Sequence, residues 1–118
     1  MARCTNKALF IVKDYSSKGN VRIPHKDATR AVKELTPGAL RMLIRLYQKK
    51  SDDVFLLETE HKIMNMSMKT AVKAHKELQD KGYMMLEHYP TQDRLYLGLD
   101  IVEKELKEQR AYQMGNNP

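Results

Sequence analysis

Between Thr36 and Lys50 the apolar residues Leu40, Leu43, Ile44 and Tyr47 recur at i, i+3, i+4 and i+7, with Arg41, Arg45 and Lys49 set between them. That spacing predicts a long amphipathic helix ending near KKSDD. Thr36 can cap it, and Pro37 can take the first helical position, where a missing N–H costs nothing. A second helix is predicted beyond Ser67, which can serve as its cap, up to Gly82, which can stop it. Ala71, Val72, His75 and Leu78 hold one side of this helix. Roughly opposite, Lys69, Lys73 and Lys76 fall within about 60° of arc, with Thr70 at the margin, so the helix has a packing face and a cationic face.

The rest of the chain is read in shorter pieces. Residues 8–12 (ALFIV) and 21–23 (VRI) are β-prone and flank the turn-rich DYSSKGN, which predicts an N-terminal hairpin within residues 1–24. From Asp27, a possible cap, to Leu35 the residues Ala28, Ala31, Val32 and Leu35 have helical spacing. Val54 to Leu57 predicts a short strand, Glu58 to Met64 one short helix, and Asn65-Met66-Ser67 a tight turn. Tyr83 to Tyr89 and Arg94 to Leu99 predict a second hairpin around Pro90 to Asp93, with Leu95, Leu97 and Leu99 on its buried face. Asp100 with Glu103 resembles a capping box before a last helix over residues 101–112, where the apolar stripe is thin: Val102, Leu106 and little more. The GNNP tail is expected to fray. These elements predict an α+β fold and one domain over residues 1–118: a hairpin in 1–24, a core in 36–99 and a C-terminal helix in 100–114.

Composition narrows the class. The chain has 118 residues, 42% hydrophobic and 31% charged, with five Gly and four Pro, which excludes collagen-like and low-complexity classes. No apolar run approaches the roughly 18 residues needed to span a bilayer, and the start MARCTNKALFIVKD lacks the features of a signal peptide. A cytoplasmic protein without a membrane partner is expected. Cys4, the single cysteine, can make no internal disulfide and has no Cys/His cluster beside it for zinc. His25, His61, His75 and His88 lack metal-ligand spacing and read as surface or satisfied core residues, so no metal or other cofactor is expected. There is no Ser/His/Asp order, Gly-rich phosphate loop or pair of inward carboxylates, and Asp52-Asp53 reads as a turn, so enzymatic activity is not expected. Of the eight Met, Met64, Met66, Met68, Met84 and Met85 read as core filling.

Charge changes the picture more. The formal net charge is +6, but residues 1–50 carry +9 and residues 51–118 carry −3. The basic excess is a patch, which favours a polyanionic partner and nucleic acid before a membrane surface.

From Pro37 onward the predicted order is helix, short strand, short helix, tight turn, basic helix, Gly and a strand pair with a polar tip. This order resembles the winged helix-turn-helix. The segment SMKTAVKAHKELQDKGYM (67–84) looks like the recognition-helix signature of bacterial winged-helix proteins, and residues 85–99 look like the wing. His75 departs from that pattern, standing where the family usually has Leu. In addition, VRIP, a short helix and LTPGALRMLIRLY together are similar to the start of winged-helix proteins from Gram-positive phages and conjugative plasmids, including replisome organisers and relaxosome accessory factors.

The resemblance implies a sequence-specific double-stranded DNA-binding protein, an accessory factor acting at a plasmid or phage origin of transfer, replication or partition. A homodimer and contacts with other proteins of a nucleoprotein complex are expected with it. Ser67 and Thr70 are then candidates for phosphate contact, Lys69 and Lys73 for base acceptors or backbone, and Lys76 for phosphate. In the wing, Thr91, Gln92 and Arg94 are candidates for the minor groove or its flanking phosphates. Lys7, Lys13, Lys18, Arg22, Arg41 and Arg45 account for much of the basic excess and form a possible second phosphate-contacting surface. Two alternatives stand beside this reading. One is a transcriptional repressor of the MarR type, and the other a winged-helix protein-interaction module whose lysines serve only solubility.

Overall fold

The computed structural model describes residues 9–12, 21–50 and 53–115. In chain order these form β1 (Leu9–Val12), α1 (His25–Glu34), α2 (Pro37–Gln48), β2 (Val54–Phe55), α3 (Leu57–Ile63), α4 (Met68–Asp80), β3 (Met84–His88), β4 (Asp93–Leu97) and α5 (Leu99–Gly115). The fold is α+β. Among the described residues no helix is long and apolar enough to cross a membrane.

Local sequence sets four of the helix ends. Thr36 caps α2 by accepting from the Ala39 N–H, with Pro37 opening the helix as expected. Ser67 caps α4 by accepting from the Thr70 N–H. At the other end of α4 the Gly82 N–H bonds Gln79 O and the Tyr83 N–H bonds Leu78 O, with Gly82 at φ +85°. That is a Schellman ending, and it needs the left-handed backbone that glycine takes without a Cβ penalty. The turn between α3 and α4 ends α3 the same way with Asn65 at φ 55°, bonded to Lys62 O while the Met66 N–H reaches His61 O. His61 Nδ1 donates to Met66 O at 2.9 Å and fastens that turn.

The sheet has the order β2-β1-β4-β3. β3 and β4 form the expected antiparallel hairpin, but the expected N-terminal hairpin does not form. Residues 21–24 are not a strand, and β1 instead lies antiparallel to β2 and parallel to β4. An alternation of β-prone residues marks a strand without naming its partner, and here tertiary pairing overrode the nearby turn signal.

On α2 the buried residues are Ala39, Met42, Leu43, Leu46 and Tyr47, while Ile44 is exposed, so the apolar stripe is rotated from the expected one. Val32 is likewise 68% exposed, although Ala31 beside it is buried. The core gathers α2, α3 and α4 over the inner face of the sheet. Its largest members are Tyr47, Phe55, Leu78, Tyr83, Ile11, Met42 and Leu95, each contributing about 1.5–3 kcal/mol relative to exposure. Met64 and Met84 are buried in the core and Met66 and Met68, half-buried, pack against it as core-filling residues would, whereas Met85, also half-buried, alternates onto the other face of β3.

Asp27 does not cap α1. It sits inside that helix, is buried, and accepts from Tyr47 Oη at 3.2 Å and from the Leu99 N–H at 2.9 Å. The first turn of α5 is therefore capped by a side chain 72 positions earlier rather than by Asp100, which is exposed and pairs with Lys26 at 2.8 Å.

Candidate nucleic-acid interface

Helix α4 is fixed to the body along one side. Ala71, Ala74, His75 and Leu78 are buried in the core. Glu77, half-buried, accepts from Thr36 N and Thr36 Oγ1, each at 2.8 Å, and so ties the last turn of α4 to the start of α2. Burial would raise the Glu77 pKa, but these hydrogen bonds and the neighbouring Lys81 hold it below the ordinary value. A Cβ at position 38 would lie 3.4 Å from the Thr70 methyl, so α2 and α4 are in van der Waals reach of each other there.

With that side held, Lys69, Lys73 and Lys76 are all exposed. Spaced at i, i+4 and i+7, they form a stripe about 10 Å long, which ends one turn later at the exposed Asp80. Among the described residues none of the three lysines has an ion-pair partner. Lys26, Arg30, Arg45, Lys49, Lys81 and Lys107, in contrast, each meet a carboxylate. The cationic face lies toward the N-terminal half of α4, where Ser67 and Thr70 are also exposed. Ser67 Oγ is already occupied by the Thr70 N–H at 3.1 Å and donates to Thr70 Oγ1 at 3.0 Å, so the two hydroxyls act first as a cap. Lys62, exposed in the last turn of α3 and also without an ion-pair partner among the described residues, was not singled out in the sequence. Its place just before the Asn65 turn is the signal that marks it.

In the β3–β4 hairpin Thr91 and Arg94 are exposed and Gln92 is half-buried. The Arg94 guanidinium lies over the Tyr89 ring at 5.1 Å and donates to Tyr96 Oη at 3.4 Å. Both Tyr89 Oη and Tyr96 Oη donate to Glu87 Oε1, and Glu87 faces Arg94 across the ladder. Arg94 is thus held by an aromatic platform with a carboxylate behind it. Asp93 takes no part in this, because it is turned inward, fully buried, with Oδ1 2.8 Å from His88 Nδ1.

Part of the possible second basic surface is taken up within the protein. Arg45 makes a two-pronged pair with the buried Glu60 at 2.9 and 3.1 Å, and Lys49 joins it at 2.7 Å. Arg41 Nη1 donates to Met64 O at 3.1 Å. These side chains bolt α2 to α3, since a buried carboxylate must find cations and the exposed end of α3 a donor. Arg22 is exposed in the segment before α1, whereas Lys7, Lys13 and Lys18 lie outside the described residues.

His75 corrects a further expectation. Gln79 Nε2 donates to its Nδ1 at 2.9 Å, but Nε2 is buried and, among the described residues, without a partner. It is a core histidine only half satisfied, and burial pushes its pKa down to about 4. Among the described residues no group of three or more His, Cys, Asp or Glu side chains is placed to hold a metal ion. Comparison of the chain with protein-family models, with characterised proteins and with solved structures finds no match.

Proposed function

We propose that the protein binds double-stranded DNA as a winged helix-turn-helix, with the N-terminal half of α4 entering the major groove and the β3–β4 hairpin acting as the wing. The order α2, β2, α3, turn, α4, hairpin is compatible with that architecture. One observation carries the reading: Lys69, Lys73 and Lys76 stand exposed on a single face, without counter-ions among the described residues, on a helix whose opposite side is buried. A solvated lysine face alone is common. A stripe about 10 Å long, held rigidly by the core and short enough for a groove about 12 Å wide, is what DNA contact requires. Lys62 extends the phosphate-contacting set from α3, and Arg94, stacked on Tyr89, serves the hairpin side.

In this reading the protein is a non-enzymatic, homodimeric accessory factor acting at a plasmid or phage origin of transfer, replication or partition. That assignment rests on the resemblance carried by VRIP and LTPGALRMLIRLY.

The test is binding to duplex DNA, followed by fluorescence anisotropy over a range of salt concentrations. Lys69→Ala combined with Lys73→Ala is expected to weaken affinity at least about tenfold, and to flatten the slope of log affinity against log salt by about 1.8. Circular dichroism checks that the variant is folded. Unchanged affinity and slope in a folded variant would overturn the proposal.

A further inference from the structure

The first strand among the described residues, β1, lies inside the sheet. β1 separates β2 from β4, and it is antiparallel to β2 and parallel to β4. It follows that β2 and β4 are antiparallel to each other, and two antiparallel strands can pair directly. Their registers already agree. Phe55 and Asp93 flank Leu9, and Val54 and Arg94 flank Phe10. Their faces agree as well, since Phe55 and Asp93 are both buried while Val54 and Arg94 are both exposed.

We propose that β1 is a removable strand, and that when it leaves, β2 pairs directly with β4 to give a three-stranded antiparallel sheet. Because side chains alternate between faces, most ways of closing such a gap would turn a buried residue outward. This one keeps inner residues in and outer residues out. β2 moves by one strand spacing, about 4.8 Å, and Phe55 passes toward the volume that Ile11 vacates. β1 is suited to leave because it is only four residues long; Ile11 is the side chain that must come out of the core, and the Ile11 N–H bonds Asp53 O just ahead of β2. The device acts on the hairpin, because β4 carries β1 on one edge and β3 on the other. Seating or releasing β1 therefore switches the support of the Arg94 strand, and this holds whatever ligand the hairpin meets.

The full chain tests the proposal through a disulfide between positions 54 and 94, with Cys4→Ser throughout. With β1 seated, Val54 and Arg94 are two strand spacings apart, about 10 Å, beyond the roughly 7 Å that a disulfide tolerates. With β1 released they become direct neighbours. The variant Val54→Cys/Arg94→Cys is expected to form this bond slowly, and about tenfold faster when Ile11→Asp disfavours seating of β1. Its helical circular dichroism and cooperative melting are expected to persist. A control, Phe10→Cys/Arg94→Cys, should form its bond readily while β1 is seated. Absence of the 54–94 bond in a folded Ile11→Asp chain would overturn the proposal, and so would global unfolding caused by Ile11→Asp.

Discussion

Asp27 Oδ2 accepts a hydrogen bond from Tyr47 Oη at 3.2 Å and another from the Leu99 N–H at 2.9 Å. One buried carboxylate thereby joins α1, α2 and the start of α5, three elements that share no short-range sequence signal. Gly98 completes the junction. Its φ is +115°, and a Cβ there would lie 3.2 Å from Tyr47 Oη and 3.7 Å from Asp27 Oδ2.

Asp27→Ala is expected to destabilise the fold by about 2–4 kcal/mol, because it removes the acceptor for a buried N–H and opens a gap beside Tyr47. Gly98→Ala is expected to cost about 1–3 kcal/mol through its left-handed backbone and the close Tyr47 oxygen. Urea unfolding measures both. Unaltered midpoints would show that the junction contributes no stability.

Arg45→Ala separates architecture from ligand contact. Lys49 still partners Glu60, so a loss of about 2 kcal/mol is expected rather than the larger penalty of an isolated buried charge. Duplex binding, measured well below the melting temperature, should keep its salt slope, because Arg45 is spent inside the protein. A slope reduced by about 0.9 would return Arg45 to the contact surface. Burial works to raise the Glu60 pKa, but the hydrogen bonds from Arg45 and Lys49 hold it below the ordinary value. The stability from this cluster is therefore present above the unfolded carboxylate range and is lost as pH falls through the lower folded value.

His75 gives a second acid-sensitive element with a different window. Its folded pKa is about 4 against an ordinary 6.5, so the native state holds the neutral ring while the unfolded chain takes up a proton below about pH 6.5. Stability is full above that value and falls by about 3 kcal/mol as the pH drops toward 4. His75→Leu should remove this dependence and, by replacing an unsatisfied buried nitrogen, raise the melting temperature at pH 5 more than at pH 8. An equal shift at both values would remove His75 from the acid response.

What the sequence disclosed was decided within a few residues. The Thr36-Pro37 start, the Ser67 cap, the Asn65 turn and the Gly82 stop are local hydrogen-bonding problems with few solutions, and each appears in the structure. The lysine stripe of α4 was legible for the same reason, since helical geometry alone puts residues 69, 73 and 76 together. Arg45 misled because a basic row on a helix looks the same whether phosphate or a buried carboxylate lies opposite. Only the position of Glu60 distinguishes the two, and no local rule places α3 against α2. Asp27 was read as a cap for its own helix because its partners, Tyr47 and Leu99, are brought to it by the tertiary fold.

The pairing of β1 with β4 also bears on how the molecule is made. Leu9 to Val12 are synthesised more than eighty residues before Asp93 to Leu97, the strand they lie beside, so the most distant contacts of the sheet form last. Helices α2, α3 and α4 and the partner strand β2 can emerge from the ribosome before β4 exists, leaving the edge of β1 that faces β4 unpaired until translation is nearly complete. Slower elongation through the second half of the message would prolong that exposure, and with it the interval in which chaperones or neighbouring nascent chains can capture the strand.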